Sequence, residues 1–553
     1  MNVRDSEANN PNLPSAEEIE QIASTRYTGL CSIYKVAPAE DRKLMCISGM
    51  FFLIVYIYSV SKDLKDAFVI GRQVAASISV LKVFWVPPIA TCFSLLVQKM
   101  SVRMKNETIL KTFLYAYATY FVVYAAFMLP LREYIEPSKF ITIDLLSDDK
   151  MKYKDFLAFA ASIMTFTSCT GTLHFVASEV WGTIVLSLLF MQLFNEVCPE
   201  KQFKRFVPIV YALSNVGLLM SAATSYIVHY LTSRMEYDQR VYFYMAVFLL
   251  LGAGTVALIL IQRYLINCVI PVQICRDTAT KHKVRSKEHV GFVEGLKLVF
   301  STNVIVALCT MVLGYNVIII MNESAYKSCQ SEVAKREKKS TESSVLANKC
   351  FEEMVTAVLV MMFFVLPTRD AIKWIGWTKY ALVTPIGAFV ACVAVLGLAM
   401  VATGLAGENL SPVNTFMSRL SASPEELTGK VMRWEQFFGI LSTAGMKVLK
   451  YVAFDISKEY FAKRIDIAYR ARFRAVYDGI CARMGKAVGS ILQLIFNQIF
   501  NTLDIRRSSF PYLVLALVIL CIWILSVVYL GKKYNKSVER DEWVDMNFKA
   551  KDK

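Results

Sequence analysis

Charge is scarce in this sequence. Only 19% of its 553 residues are Asp, Glu, Lys or Arg, against about a quarter in an ordinary soluble chain. The scarcity argues against a soluble domain, because the apolar residues, 55% of the chain, come in long blocks separated by short charged stretches. Metal spacing is absent as well: the thirteen cysteines are scattered, with no CxxC pair and no Cys/His cluster, and no cofactor is implied. The net charge of +16 comes without a zinc-finger, single-strand-binding or Gly-rich RNA-binding signature, so nucleic acid is not the expected partner. Nor is there a phosphate-binding loop of the G-x-x-x-x-G-K-[ST] type. The nearest string, from Gly479 to Gly485-Lys486-Ala487, has one residue too many and ends in alanine. A nucleotide-hydrolysing pump, or any enzyme, is therefore not expected. The first 40 residues hold no apolar core for a secretory signal, and Glu17, Glu18, Glu20 and Glu40 make them too acidic for an ordinary transit peptide.

What is present is a series of apolar blocks at the length of about 20 residues that a spanning helix requires. The first six cover 44–61, 79–98, 109–130, 158–195, 206–231 and 241–266. The second six cover 303–321, 351–370, 378–404, 434–454, 484–504 and 511–531. The fourth is too long for one straight span, so an interfacial beginning is expected there. The pattern predicts an all-α polytopic membrane protein of about twelve transmembrane helices in two six-helix lobes, similar to a major-facilitator carrier. The expected organisation is a cytoplasmic tail over 1–43, a first lobe over 44–266, a basic linker over 267–302, a second lobe over 303–531 and a tail over 532–553. Lysine and arginine are more numerous in the tails and even-numbered loops, which places both termini and the linker in the cytoplasm. The lysine-rich stretch 322–350 is then an exported loop, with Cys329 and Cys350 at its flanks. These two could bridge it or stand as separate thiols.

The charges inside or beside the blocks are the candidate functional groups. A charge at the centre of a span costs on the order of 2.5–3.5 kcal/mol on insertion scales, so such residues tend to face a cavity or a partner. Lys62 and Lys65 stand at the end of the first block, Lys82 lies inside the second, Glu179 inside the fourth, and Glu323 closes the seventh. The tenth holds Lys447 and Lys450 and is followed by Asp455, Lys458 and Glu459. Lys62 with Lys65, and Lys447 with Lys450, are three apart and share a helical face. Single lysines at block ends also fit snorkelling to headgroups, and Glu179 also fits a structural pair between helices. Together the cations and buried acids suggest a polar cavity suited to a polyanion, since lysine offers phosphate oxygens a compact charge and arginine a fork.

Several of these positions lie in strings with a family likeness. Lys62-Asp63-Leu64-Lys65-Asp66 resembles the R-D-T-K-D signature of the ATP/ADP translocases of plastids, obligate intracellular bacteria and microsporidia. Glu179-Val180-Trp181-Gly182, running on to Ser187-Leu188-Leu189-Phe190, is similar to their E-L-W-G-x-x-V-x-S-L-L-F stretch. Lys204-Arg205-Phe206-Val207-Pro208 resembles K-R-F-Y-P, and Lys450-Tyr451-Val452-Ala453-Phe454-Asp455-Ile456-Ser457-Lys458-Glu459 resembles K-Y-S-L-F-D-P-T-K-E. A G-K-x-x-G segment recurs at Gly485-Lys486-Ala487-Val488-Gly489. The order and spacing of these strings span most of the chain.

The resemblance implies exchange of ATP for ADP by alternating access without hydrolysis; proton-coupled import of nucleotides, also found in the family, and carriage of another organic anion are the alternatives. The family's functional charges match Lys65, Glu179 and Glu323, and a late basic position matches Arg474, with Arg472 as the alternate. On this expectation Lys65 and Arg474, helped by Lys450 or Lys458, cradle phosphates, and Lys62, Lys447 and Asp455 are counted among the substrate-binding residues as well. Glu179 and Glu323 hold the cations or select between ligands. Arginine at 474, isoleucine at 456 and lysine at 62 depart from the family's usual residues. The departures look most like a microsporidian member. The expected setting is the lipid bilayer of an intracellular parasite's plasma membrane, or alternatively of a mitosome, with the monomer as the working unit.

Overall fold

The structure is a computed structural model, and it describes residues 36, 40–136, 157–198, 200–235, 237–270, 302–365, 372, 374–407, 424–466 and 473–544. Among the described residues there is no β-strand. The long helices are α1 (Asp41–Arg72), α2 (Ser77–Arg103), α3 (Asn106–Met128), α4 (Leu157–Thr167), α5 (Cys169–Val197), α6 (Arg205–Thr232) and α7 (Gln239–Val269). The series continues with α8 (Asn303–Arg336), α9 (Thr341–Val365), α10 (Trp377–Leu405), α11 (Glu425–Lys463), α12 (Val476–Ile499) and α13 (Ile505–Arg540). Eleven of these, all but α4 and α9, are long and apolar enough to cross a membrane. The eighth apolar block falls on α9, which Lys349, Glu352 and Glu353 interrupt. Its remainder, 366–370, and most of the basic linker lie outside the described residues.

The fourth block, too long for one straight span, is two helices, broken at Ser168. Its first part, α4, packs on the start of α2, where the Ser77 hydroxyl donates to the Ala161 carbonyl at 3.2 Å, and Ala76, Val80 and Ala161 close around it. The stretch 322–350 is not a loop. α8 runs on to Arg336, and α9 begins at Thr341 after a short reversal. The reversal turns on Lys338 at φ 52°, with the Lys339 N–H reaching back to the Ala334 carbonyl at 3.0 Å, a left-handed helix stop. At about 1.5 Å per residue, the 34 residues of α8 reach well past a hydrocarbon core about 30 Å thick. Its polar end remains buried through Ala334.

The chain divides into two compact units. The first comprises Met1–Lys65, Val86–Glu136 and Thr172–Ser286, and the second Asp66–Trp85, Pro137–Gly171 and Lys287–Lys553. In the first unit α1 lies against α5. A Cβ at Gly182 would come 2.6 Å from the Tyr58 ring, so only glycine permits this approach. Next to it the Trp181 indole donates to the Ile54 carbonyl at 3.3 Å, and Tyr117 meets the Trp181 ring edge-on at 4.8 Å. His174 Nε2 donates to the Ser61 carbonyl at 3.1 Å, and its Nδ1 lies 3.2 Å from the Tyr120 hydroxyl. At the entry to α1, Arg205 grips Glu40 with two guanidinium nitrogens at 2.8 and 3.0 Å.

In the second unit, the G-K-x-x-G segment has a packing explanation. Cβ atoms at Gly485 and Gly489 would stand 2.7 Å from Asn316 Cβ and 2.9 Å from Ile320 Cβ. Small residues four apart let the α12 and α8 backbones meet directly. Tyr315, Phe454 and Trp523 fill the layer beside them. Enlarging either glycine must push the helices apart. Gly485→Val or Gly489→Val is expected to destabilise the protein by about 1–3 kcal/mol, read as a lower midpoint of thermal unfolding in detergent. Gly397→Ala on α10, where nothing lies within 4 Å of the added carbon, is expected to leave the midpoint nearly unchanged.

Candidate functional site

Three groups of charged side chains stand inside or at the ends of the spanning helices. In the first unit, α1 continues as a helix through Lys62-Asp63-Leu64-Lys65 after its apolar run ends. The turn carries the Lys65 side chain into the protein, where only 3% of it is exposed. Its ammonium pairs with Glu179 and lies 4.0 Å above the Phe175 ring. Phe175 and Glu179 are four apart on α5 and therefore share a face, so one helix supplies both the counter-charge and the aromatic seat. Asp63 accepts a hydrogen bond from Ser225 at 2.8 Å. Lys62 is half-buried.

The second group belongs to the second unit. Glu323 on α8 holds Lys82 of α2 at 3.3 Å and Lys327, one turn further along, at 3.8 Å. Lys327 in turn lies 3.1 Å from Asp66, the continuation of the motif that supplies Lys65. On α9, Lys349 is 3.6 Å from Asp66 and 3.0 Å from Glu352. Glu352 also accepts from Lys447 of α11. Beyond them Arg72 bonds Glu342 at 2.8 Å. Lys349, Glu352 and Asp66 have no exposed surface to speak of, so each depends on its opposite charge.

The third group, also in the second unit, lies around the end of α11. Lys458 bridges Asp455 at 3.1 Å and Asp478 at 2.5 Å. Arg474 pairs with Glu459 and approaches Asp478 at 3.6 Å, with over half of its side chain exposed. Lys450 is half-buried, 5.6 Å from the Tyr451 ring centre. Arg472 lies outside the described residues.

Wide i→i+5 turns occur beside these groups as well as away from them, at Tyr124–Met128 and Leu265–Val269. Beside the groups they occupy Leu81–Trp85 around Lys82, Trp181–Phe190 just after Glu179, Lys450–Phe454 and Ala475–Cys481 just after Arg474. Such turns are uncommon and concentrate at functional sites.

Comparison with known proteins decides what carries these groups. The profile of the TLC ATP/ADP transporter family matches residues 21–534. The chain belongs to the TLC ATP/ADP transporter family. It is 30% identical over 535 residues to ADP,ATP carrier protein 1 of Paranosema grylli, covering 97% of this chain and 96% of that protein. It is also 30% identical over 544 residues to ADP,ATP carrier protein 1 of Encephalitozoon cuniculi (strain GB-M1), covering 98% and 95%. The carrier of the same title from Rickettsia prowazekii (strain Madrid E) is 24% identical over 511 residues, with 92% and 97% covered. A solved structure, the inward-open xylose transporter XylE from E. coli, aligns with a TM-score of 0.45 at 12% identity, over 89% of this chain and 95% of that one. With eleven helices long and apolar enough to span, this TLC-family transporter is a multi-pass membrane protein.

Within this TLC-family chain, the positions read from sequence fall into separate groups. Lys65 meets Glu179, Glu323 meets Lys82 and Lys327, and Arg474 shares Asp478 with Lys458. Lys447 meets Glu352, a residue the sequence reading passes over, as it does Lys327 and Lys349. Their signal is present: Glu323 and Lys327 are four apart, Lys349 and Glu352 three apart, which is ion-pair spacing on a helix. Cys329 and Cys350 stand as two thiols and form no disulfide. Asn322, which begins a glycosylation sequon, is buried and donates to Ser442 at 3.0 Å, so no glycan fits there. Removing Lys349 takes one of two cations from both Asp66 and Glu352, which are themselves buried. Lys349→Met is expected to cost about 3–5 kcal/mol, seen as a marked drop in the thermal midpoint. The exposed pair Lys430–Glu426 should tolerate Lys430→Met with a change below about 1 kcal/mol.

Proposed function

We propose that this chain exchanges ATP for ADP across a membrane by alternating access, without hydrolysing either. The observation that carries the reading is the end-to-end similarity to proteins titled ADP,ATP carrier, at 30% identity over 97% of this chain. The chemistry of the site supports it. Lysines and an arginine sit in or beside spanning helices, each opposite a carboxylate. Phosphate oxygens can replace a carboxylate oxygen at a lysine with the same charge-assisted geometry.

On this reading Lys65 and Arg474, helped by Lys450 or Lys458, bind phosphates. Glu179 and Glu323 hold cations in the empty protein and so keep it from carrying unpaired charge when no substrate is bound. Binding must be moderate in both orientations, because a site that holds one state too tightly stalls the cycle. ATP carries about one more negative charge than ADP, so their exchange responds to voltage by about 2.3 kcal/mol per 100 mV. The working unit is the monomer, and the membrane is the plasma membrane of an intracellular parasite or, second, that of a mitosome.

Labelled ATP uptake into vesicles containing the purified chain tests this. Uptake should be strongly stimulated by internal ADP and nearly absent without it. Uptake that ignores internal nucleotide, or that follows an imposed proton gradient instead, contradicts exchange. Glu179→Gln should depress uptake and lower the thermal midpoint as well, because Lys65 is only 3% exposed and loses the carboxylate it pairs with.

A further inference from the structure

Glu323, Asp66 and Glu352 each lie between two lysines, and together the contacts form one continuous line. Lys82 is 3.3 Å from Glu323, Glu323 3.8 Å from Lys327, and Lys327 3.1 Å from Asp66. Asp66 is 3.6 Å from Lys349, Lys349 3.0 Å from Glu352, and Glu352 pairs with Lys447. The charges alternate without a break, four cations with three anions, drawn from α1, α2, α8, α9 and α11. All belong to the second unit.

Exposure sorts the lysines into two kinds. Lys327 and Lys349 are sealed, with 5% and 1% of their side chains exposed. Lys82 and Lys447 are open, at 20% and 21%. An ammonium on a spanning helix does not turn its open side to lipid, at a cost on the order of 2.5–3.5 kcal/mol, so these two face water. Each open lysine also shares its carboxylate with a sealed one: Glu323 is held by Lys327 as well as Lys82, and Glu352 by Lys349 as well as Lys447. An arriving anion can therefore take either open lysine without stranding a buried carboxylate, which is what makes breaking an ordinary buried pair so unfavourable.

We propose that Lys82 and Lys447 are polyphosphate-contacting cations of the transport site, made exchangeable because Lys327 and Lys349 retain Glu323 and Glu352 when the substrate takes over. The ligand class is a polyphosphate chain, as in nucleoside di- and triphosphates. The inference rests on the exchange reading for its substrate, but its geometry stands on the ion line alone. Lys327 and Lys349 are positioning residues on this account, never touching substrate.

The test uses the unaltered full chain in detergent, reductive methylation of lysine amines, and mass spectrometry, with inorganic tripolyphosphate as the probe. Lys82 and Lys447 should be methylated in the free protein and protected by tripolyphosphate, while Lys327 and Lys349 stay unmodified in both. Protection of fewer than both open lysines, or labelling that tripolyphosphate leaves unchanged, overturns the proposal. In vesicles, Lys82→Gln and Lys447→Gln should each raise the KM for ATP about tenfold, equivalent to about 1.4 kcal/mol, with kcat changed less. Lys105→Gln, at an exposed position, should leave it unaltered. Wild-type values of KM in both glutamine variants would count against the assignment. If the wild-type chain moves no ATP yet tripolyphosphate protects both lysines, the exchange reading fails and this one stands. If exchange is robust and protection is absent, the reverse holds.

Discussion

The cost of a charge inside a membrane-spanning helix governs the arrangement of this protein. At on the order of 2.5–3.5 kcal/mol for a single group on insertion scales, a lysine survives there by meeting a carboxylate or water. Lys65 meets Glu179, Lys327 meets Asp66, Lys349 meets Asp66 and Glu352, and Lys447 meets Glu352. The pairing dictates which helix faces turn inward, because α1 delivers Lys65 to α5 in one unit and Asp66 to α8 and α9 in the other.

Backbone geometry obeys the same need. α8 stays helical well past its apolar run, which brings Glu323 and Lys327 to the inward face one turn apart. The wide turns after Glu179, at Lys450 and after Arg474 add a residue to a helical turn. Each extra residue rotates the next stretch of helix by about 100°, so a charged face and the apolar face beyond it need not share one stripe. The glycines at 182, 485 and 489 let a neighbouring helix come closer than a Cβ would allow.

Most of the helices are legible in the sequence, since a run of about 20 apolar residues has few other uses. The Lys65–Glu179 pair is also within reach, as two charges standing where charges are costly. The polar continuations are what hydropathy hides. Residues 322–336 and 341–350 carry enough Lys, Glu, Ser and Asn to look like a loop, yet they are helical, with Lys327, Glu342 and Lys349 turned into the protein and paired there. Lys349 and Glu352 are obscured for that reason, although their three-residue spacing is helical. Asp66 stands in a recognisable motif without showing a role, because its partners Lys327 and Lys349 lie hundreds of residues away and no local pattern specifies them.

Transport on these terms requires that an anionic substrate take cations over from the carboxylates that hold them in the empty protein. Difference infrared spectroscopy of the purified chain, with and without ADP, reads this exchange of partners, because a carboxylate stretch moves when a lysine leaves it. Adding ADP should produce a carboxylate difference band that is diminished in Glu179→Gln and in Glu323→Gln. A flat carboxylate region under conditions where ADP is shown to be bound would contradict the exchange of partners.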